Sequence, residues 1–204
     1  NVFDHRKIFV FDGISAIMTG SNIAKKYLYD EPVKSSEDNS YKWHSGAVLL
    51  KGPFATVANK HFASKWMVRG GDVFDPEENY RSELNYGNDV CTAYSHFPGM
   101  EQNHIRDWYL RKINNCTGEL IIQNPYINDE KFWDELSKID PARAKRIKII
   151  NPYKAKGNDY VQDESSIKCR VYEPLKNGIS FYAYKWRMTH WKIALDVDSS
   201  EVKP

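Results

Sequence analysis

The residues best suited to do chemistry stand near the two ends of this 204-residue sequence. His5, Lys7, Asp12, Ser21 and Asn22 surround two short apolar runs, and His190 and Lys192 repeat the order histidine, one residue, lysine. These group types point to phosphodiester chemistry. A phosphodiester is an anion, so an attacking group must reach phosphorus while nearby donors hold the non-bridging oxygens and take up the growing charge. Lys7, Asn22 and Lys192 are of the right type for that task. Neutral imidazole is a competent nucleophile near pH 7, because its reference pKa is about 6.5, and covalent catalysis divides one difficult displacement into two easier ones. A second proton carrier must then protonate the departing alkoxide and later activate the acceptor. His5 is read as the nucleophile and His190 as the acid, although residue order by itself leaves the direction open.

Such groups act together only if the chain holds them. Ile8 to Phe11 reads as a buried strand, Asp12-Gly13 as a turn, and Ser15 to Met18 as the returning strand. Alternate side chains of a strand share a face, so His5 and Lys7 point the same way, and the hairpin returns Gly20-Ser21-Asn22 beside them. Asp12 can cap the turn through local hydrogen bonds, and Ser21 can cap a short helix from Ile23 to Leu28. Further on, the pattern predicts a strand over 45–50, helices over 53–69, 101–114 and 129–138, and strands over 119–123, 146–150, 169–172, 179–184 and 190–195. Polar loops are expected over 29–40, 70–88 and 154–166. Strands alternating with helices make this an α/β protein, a mixed β-sheet flanked by helices.

With the motifs placed, the chain resembles the phospholipase D superfamily, whose signature is H-x-K-x4-D followed by a Gly/Ser-rich turn and an asparagine, present twice. The first copy, over 5–22, has every element. The second, over 190–198, is incomplete: the aspartate would fall on Val197, between Asp196 and Asp198, and no Gly-Ser-x-Asn follows. The segment from Trp43 to Trp66, the run Glu119 to Tyr126 and the run Arg146 to Pro152 resemble the cardiolipin synthase branch. The resemblance implies a pseudo-dimer in which two halves share one active site, with this chain, read as one domain over 1–204, spanning parts of both. It implies His5 and His190 as catalytic, Lys7, Asn22 and Lys192 on the phosphate, and Asp12 and Ser21 in support. The implied activity is a phosphodiesterase or phosphatidyltransferase acting on phospholipids through a phosphohistidine, with neither metal nor cofactor. A nuclease of the same superfamily is the first alternative, and a non-catalytic lipid-binding relative the second.

Composition agrees with a chain able to bury a core: 41% of residues are hydrophobic and 27% charged. A net charge of +2 is too small to argue for nucleic acid by bulk electrostatics. The partner that the resemblance implies is a phospholipid, with peripheral membrane contact. No stretch reaches the roughly 18 apolar residues of a membrane-spanning helix. Cys91, Cys116 and Cys169 form no C-x-x-C pair and read as incidental thiols, while His44, His61, His96 and His104 lack zinc-ligand spacing. Among the aromatics, Trp186 and Trp191, close in sequence to the second histidine, are expected near the cleft, and Tyr126 after Asn124-Pro125 resembles the aromatic that follows the same strand in the phospholipid-acting branch. Oligomeric state is not legible from the sequence.

Overall fold

A computed structural model describes residues 5–24, 27, 43–73, 87–94, 103–152, 167, 169–185 and 188–197. The chain divides into two compact units, the first made of Asn1–Asn22 and Gly46–Pro98, the second of Ile23–Ser45 and Gly99–Pro204. The α/β expectation holds, but the strands form two separate sheets, and the mixed one lies in the second unit.

In the first unit, β1 (Ile8–Phe11), β2 (Ser15–Thr19) and β3 (Ala47–Lys51) form an antiparallel sheet in chain order. The β1–β2 turn has positive φ at Asp12 (50°) and Gly13 (65°), the pair of signs a type I′ hairpin turn requires, and Ile14 N–H closes it on Phe11 O at 2.9 Å. Aspartate tolerates this conformation better than most side chains, and glycine has no Cβ to resist it. Helix α1 (Phe54–Val68) sets Ala55 and Ala58 against Ala16, Ile8 and Val10 on one face of the sheet. The other face carries Phe9 and Phe11, 38% and 50% exposed. The buried strand expected over 8–11 is therefore buried on one side only, because the helix covers a single face.

The second unit has a sheet in the order β6-β5-β4-β7. Its strands are β4 (Glu119–Gln123), β5 (Ile147–Pro152), β6 (Ser180–Tyr184) and β7 (Ile193–Val197). The pairs β4–β5 and β5–β6 are parallel, and β7 runs antiparallel to β4. Alternate residues Leu120, Ile122, Ile147 and Ile149 are buried together, as period-two patterning demands. Onto them pack helices α2 (His104–Asn115) and α3 (Glu130–Lys138). Helix α3 begins where the Asp129 side chain accepts from Phe132 N–H, and it buries Phe132, Trp133 and Leu136. The Trp133 ring stacks on Phe181 while its Nε1–H donates to Ile127 O at 2.8 Å, which satisfies the one polar atom of a buried indole.

Two segments depart from the sequence expectation. Cys169 and Arg170 are helical and lead into helix α5 (Tyr172–Asn177), where a strand was expected over 169–172. The apolar alternation there is too short to fix a period, and Gly178, with φ 111°, ends a helix. A short helix α4 (Pro141–Ala144) was also unforeseen, although Asp140 caps it and Pro141 stands at its first position. Of the helix expected over 23–28, Ile23 and Ala24 form a bend and Tyr27 N–H closes a turn on Ala24 O at 2.9 Å, while residues 25, 26 and 28 and most of the three expected loops lie outside the described residues.

Burial raises the Cys116 thiol above its ordinary value, and the charge of Asp196 adds to the effect. Cys91 and Cys169 are exposed. Brief alkylation of the native protein at pH 8, read by peptide mass spectrometry, should label Cys91 and Cys169 and leave Cys116 unmodified until denaturant is added. Burial, followed by the guanidinium of Arg6, holds His61 below the usual imidazole range. The folded state thus favours the neutral ring. Its contribution is complete above the ordinary pKa of about 6.5 and is lost as pH falls through that value, where the unfolded chain takes the proton first. His61→Gln should flatten the acid limb of stability measured by urea unfolding between about pH 6.5 and pH 5.

Candidate active site

The first motif sits at the open end of the β1–β2 hairpin. Thr19 N–H donates to Lys7 O at 3.1 Å, which continues the ladder one residue beyond the Ile8–Met18 pair, and Gly20 N–H turns to Gly46 O at 3.2 Å. Thr19 Oγ1 donates to Gly46 O at 2.9 Å and accepts from Ser21 N–H at 3.0 Å, so one hydroxyl braces the Gly-Ser-Asn bend. His5 and Asn22 are exposed, and Lys7 and Ser21 half-buried. Lys7 Nζ donates to His5 O at 2.6 Å. Asp12 lies at the turn, five residues and about 16 Å along the strand from Lys7. Any support it gives passes through the hairpin.

The second motif is enclosed far more tightly. Strands β4, β5 and β6 run parallel, so their C-terminal ends gather at one edge of the sheet, and antiparallel β7 starts at that same edge. The crevice beyond the carboxyl ends of parallel strands is where such sheets place ligands. His190 arrives there two residues ahead of Lys192, with only 8% of its surface exposed. Its backbone is pinned by a parallel bridge between His44 and Thr189: His44 N–H donates to Met188 O at 2.8 Å, and His190 N–H donates to His44 O at 2.6 Å. The buried Thr189 hydroxyl accepts from the Gln123 side-chain amide at the end of β4. Asn151, at the end of β5, donates to Asn124 O at 2.7 Å and steadies the turn that carries Tyr126.

Three aromatic rings wall the imidazole. Trp43, Tyr27 and Tyr126 lie with ring centroids 5.0, 5.6 and 6.2 Å from that of His190. Lys192 Nζ stands 2.8 Å from His190 Nε2, donates to His190 O at 3.0 Å, and lies 5.8 Å from the Tyr126 ring centroid. An ammonium has donors only, so this contact is a hydrogen bond when Nε2 is the acceptor and the ring proton is on Nδ1. The Tyr27 hydroxyl lies 3.3 Å from Nδ1. With Nε2 as acceptor, the imidazole stands beside a cation in an arrangement able to attack or deprotonate next to a bound anion.

Both lysines donate to the carbonyl two residues before them, a local likeness between the two H-x-K segments. Asp196, one residue short of the motif aspartate position, is bound to Lys112 Nζ at 2.6 Å. Asp198 and Trp186 lie outside the described residues. Trp191, expected near the site, donates from Nε1 to His44 Nε2 at 3.3 Å, while Tyr184 stacks on the other side of that ring. Sequence reasoning missed Tyr27 and His44. Their one signal was an aromatic or histidine following the first motif, which says nothing about the second. Among the described residues, no group of three His, Cys, Asp or Glu side chains could hold a metal ion, and no helix is long and apolar enough to cross a membrane.

No family model matches the chain. Curated relatives do. A probable cardiolipin synthase of Bacillus subtilis is 21% identical over 196 residues, 96% of this chain and 37% of its own length. Cardiolipin synthase A of Pseudomonas putida is 24% identical over 204 residues, 99% of this chain and 40% of its own. A cardiolipin synthase of Oceanobacillus iheyensis is 26% identical over 155 residues, 76% of this chain and 31% of its own. The chain therefore spans two fifths or less of the length of these relatives. Over most of its own length it is similar to the cardiolipin synthases of the phospholipase D superfamily, the branch to which its motifs point.

Proposed function

We propose that the chain carries phosphatidyl transfer or hydrolysis on phospholipids, by double displacement at phosphorus. The observation that carries this reading is the buried His190 with its Nε2 2.8 Å from Lys192 Nζ. In the first step Nε2 bonds to phosphorus, the bond from phosphorus to the leaving oxygen breaks with its electron pair, and an imidazolium at His5 protonates the alkoxide. Lys7, Lys192 and Asn22 hold the phosphoryl oxygens, while Asp12 and Ser21 keep the first hairpin in shape. In the second step His5 takes a proton from an alcohol or water, the new P–O bond forms, and the P–N bond returns its pair to Nε2. This order reverses the one read from the first motif. It is favoured because His190 is buried and held beside Lys192, whereas His5 is exposed and so better placed to exchange protons with solvent. The names of the relatives support a phospholipid as substrate.

The test is turnover of the full chain on phosphatidylglycerol vesicles in the presence of chelator, with single-stranded DNA as a parallel substrate. His190→Ala and His5→Ala should each lower kcat on the order of a thousandfold or more. Intermediate trapped in alkaline denaturant, where a P–N bond survives, should carry the phosphatidyl group on His190. Turnover of DNA alone would make the chain a nuclease, loss of activity in chelator would end the metal-free mechanism, and label on His5 would restore the opposite order. The rate should follow a bell-shaped pH profile, since one imidazole must be neutral while the other is protonated.

A further inference from the structure

Resting on that reading of His190, we propose that Tyr27 is the positioning residue that holds the reactive imidazole in its Nδ1–H tautomer. Histidines that work through one ring nitrogen need a partner on the other, which fixes the proton and the ring plane. The Tyr27 hydroxyl lies 3.3 Å from Nδ1, within reach to accept its proton, and the Tyr27 side chain is itself buried, at 8% exposure. The ring also stands edge-on to Trp43, with centroids 5.6 Å apart, so its own orientation is constrained. A half-turn of the imidazole about Cβ–Cγ would put Cδ2 in place of Nδ1 and Cε1 in place of Nε2, so that carbon-bound hydrogens faced the Tyr27 hydroxyl and the Lys192 ammonium and both contacts were lost. The three aromatic walls oppose that rotation sterically, and the hydroxyl opposes it by its hydrogen bond.

The partner is a neutral phenol where a carboxylate could have stood. It fixes direction without adding a negative charge beside the anionic substrate, so the compensating charges remain the lysines. Tyr27, Tyr126 and Lys192 are titratable groups that face the ring.

Nitrogen NMR of the histidine-labelled full chain, assigned by loss of the His190 signals in His190→Ala, reads the tautomer directly. The wild type should show a pyridine-type Nε2 and a protonated Nδ1. Tyr27→Phe keeps the ring and removes the hydroxyl, so it should mix the tautomers, lower kcat about fivefold to tenfold, the worth of one hydrogen bond, and leave KM within about twofold. Unchanged nitrogen shifts and unchanged kcat in Tyr27→Phe would overturn the inference, as would a protonated Nε2 in the wild type. If Tyr27→Phe does not fold, 3,5-difluorotyrosine at position 27, nearly isosteric but more acidic, should move the Nδ1 shift and the pH profile, and failure to move either is the overturning result. If the wild type turns over no phospholipid, the functional reading fails and the nitrogen shifts still decide the role of Tyr27.

Discussion

Two backbone hydrogen bonds, His44 N–H to Met188 O and His190 N–H to His44 O, hold the best-defined chemistry of this molecule in place. They join segments almost 150 residues apart in sequence, at a cost in chain entropy that only a well-packed surround can offset. The surround is visible: Thr189 is fully buried and takes a hydrogen bond from Gln123, and Trp43 lies against the His190 ring. Once the bridge forms, the position of His190 Nε2 follows from backbone geometry, and a loop residue becomes as exact in placement as one on a strand.

The sheet of the second unit supplies the platform. Parallel strands require crossovers, and the helices of those crossovers cover one face and bury Leu120, Ile122, Ile147 and Ile149. The same directionality lines up the strand ends that carry Gln123, Asn124 and Asn151. Each of these amides satisfies a backbone or hydroxyl group near the site. Buried polar groups are tolerated there because they are paired, and the pairing rigidifies the turn that presents Tyr126.

The first hairpin was the most legible part of the fold. Four apolar residues, Asp-Gly and a second run admit few arrangements, and the turn adopts the conformation those residues favour. What the pattern could not supply was the number of covered faces, so Phe9 and Phe11 were expected inside and are half exposed. The segment at 169–172 failed for a related reason: Cys-Arg-Val-Tyr has no length over which a period of two and one of 3.6 differ. Helix α3 succeeded because nine residues with a strong cap and one apolar stripe leave no such ambiguity.

The sequence by itself determined the chemical types and their local order: two histidine-lysine pairs, an asparagine after a Gly-Ser turn, and strands leading into or out of them. Those are properties of neighbours along the chain, where spacing and conformation are tightly coupled. Only the tertiary structure decided that Trp43, His44 and Tyr27 serve the second motif, that Asp196 is bound to Lys112 in place of any role beside His190, and that Lys192 and Tyr27 face the two ring nitrogens of His190. Contacts between distant segments depend on the summed packing and hydrogen bonding of many residues. A proton settles on one nitrogen or the other only when both partners are in place.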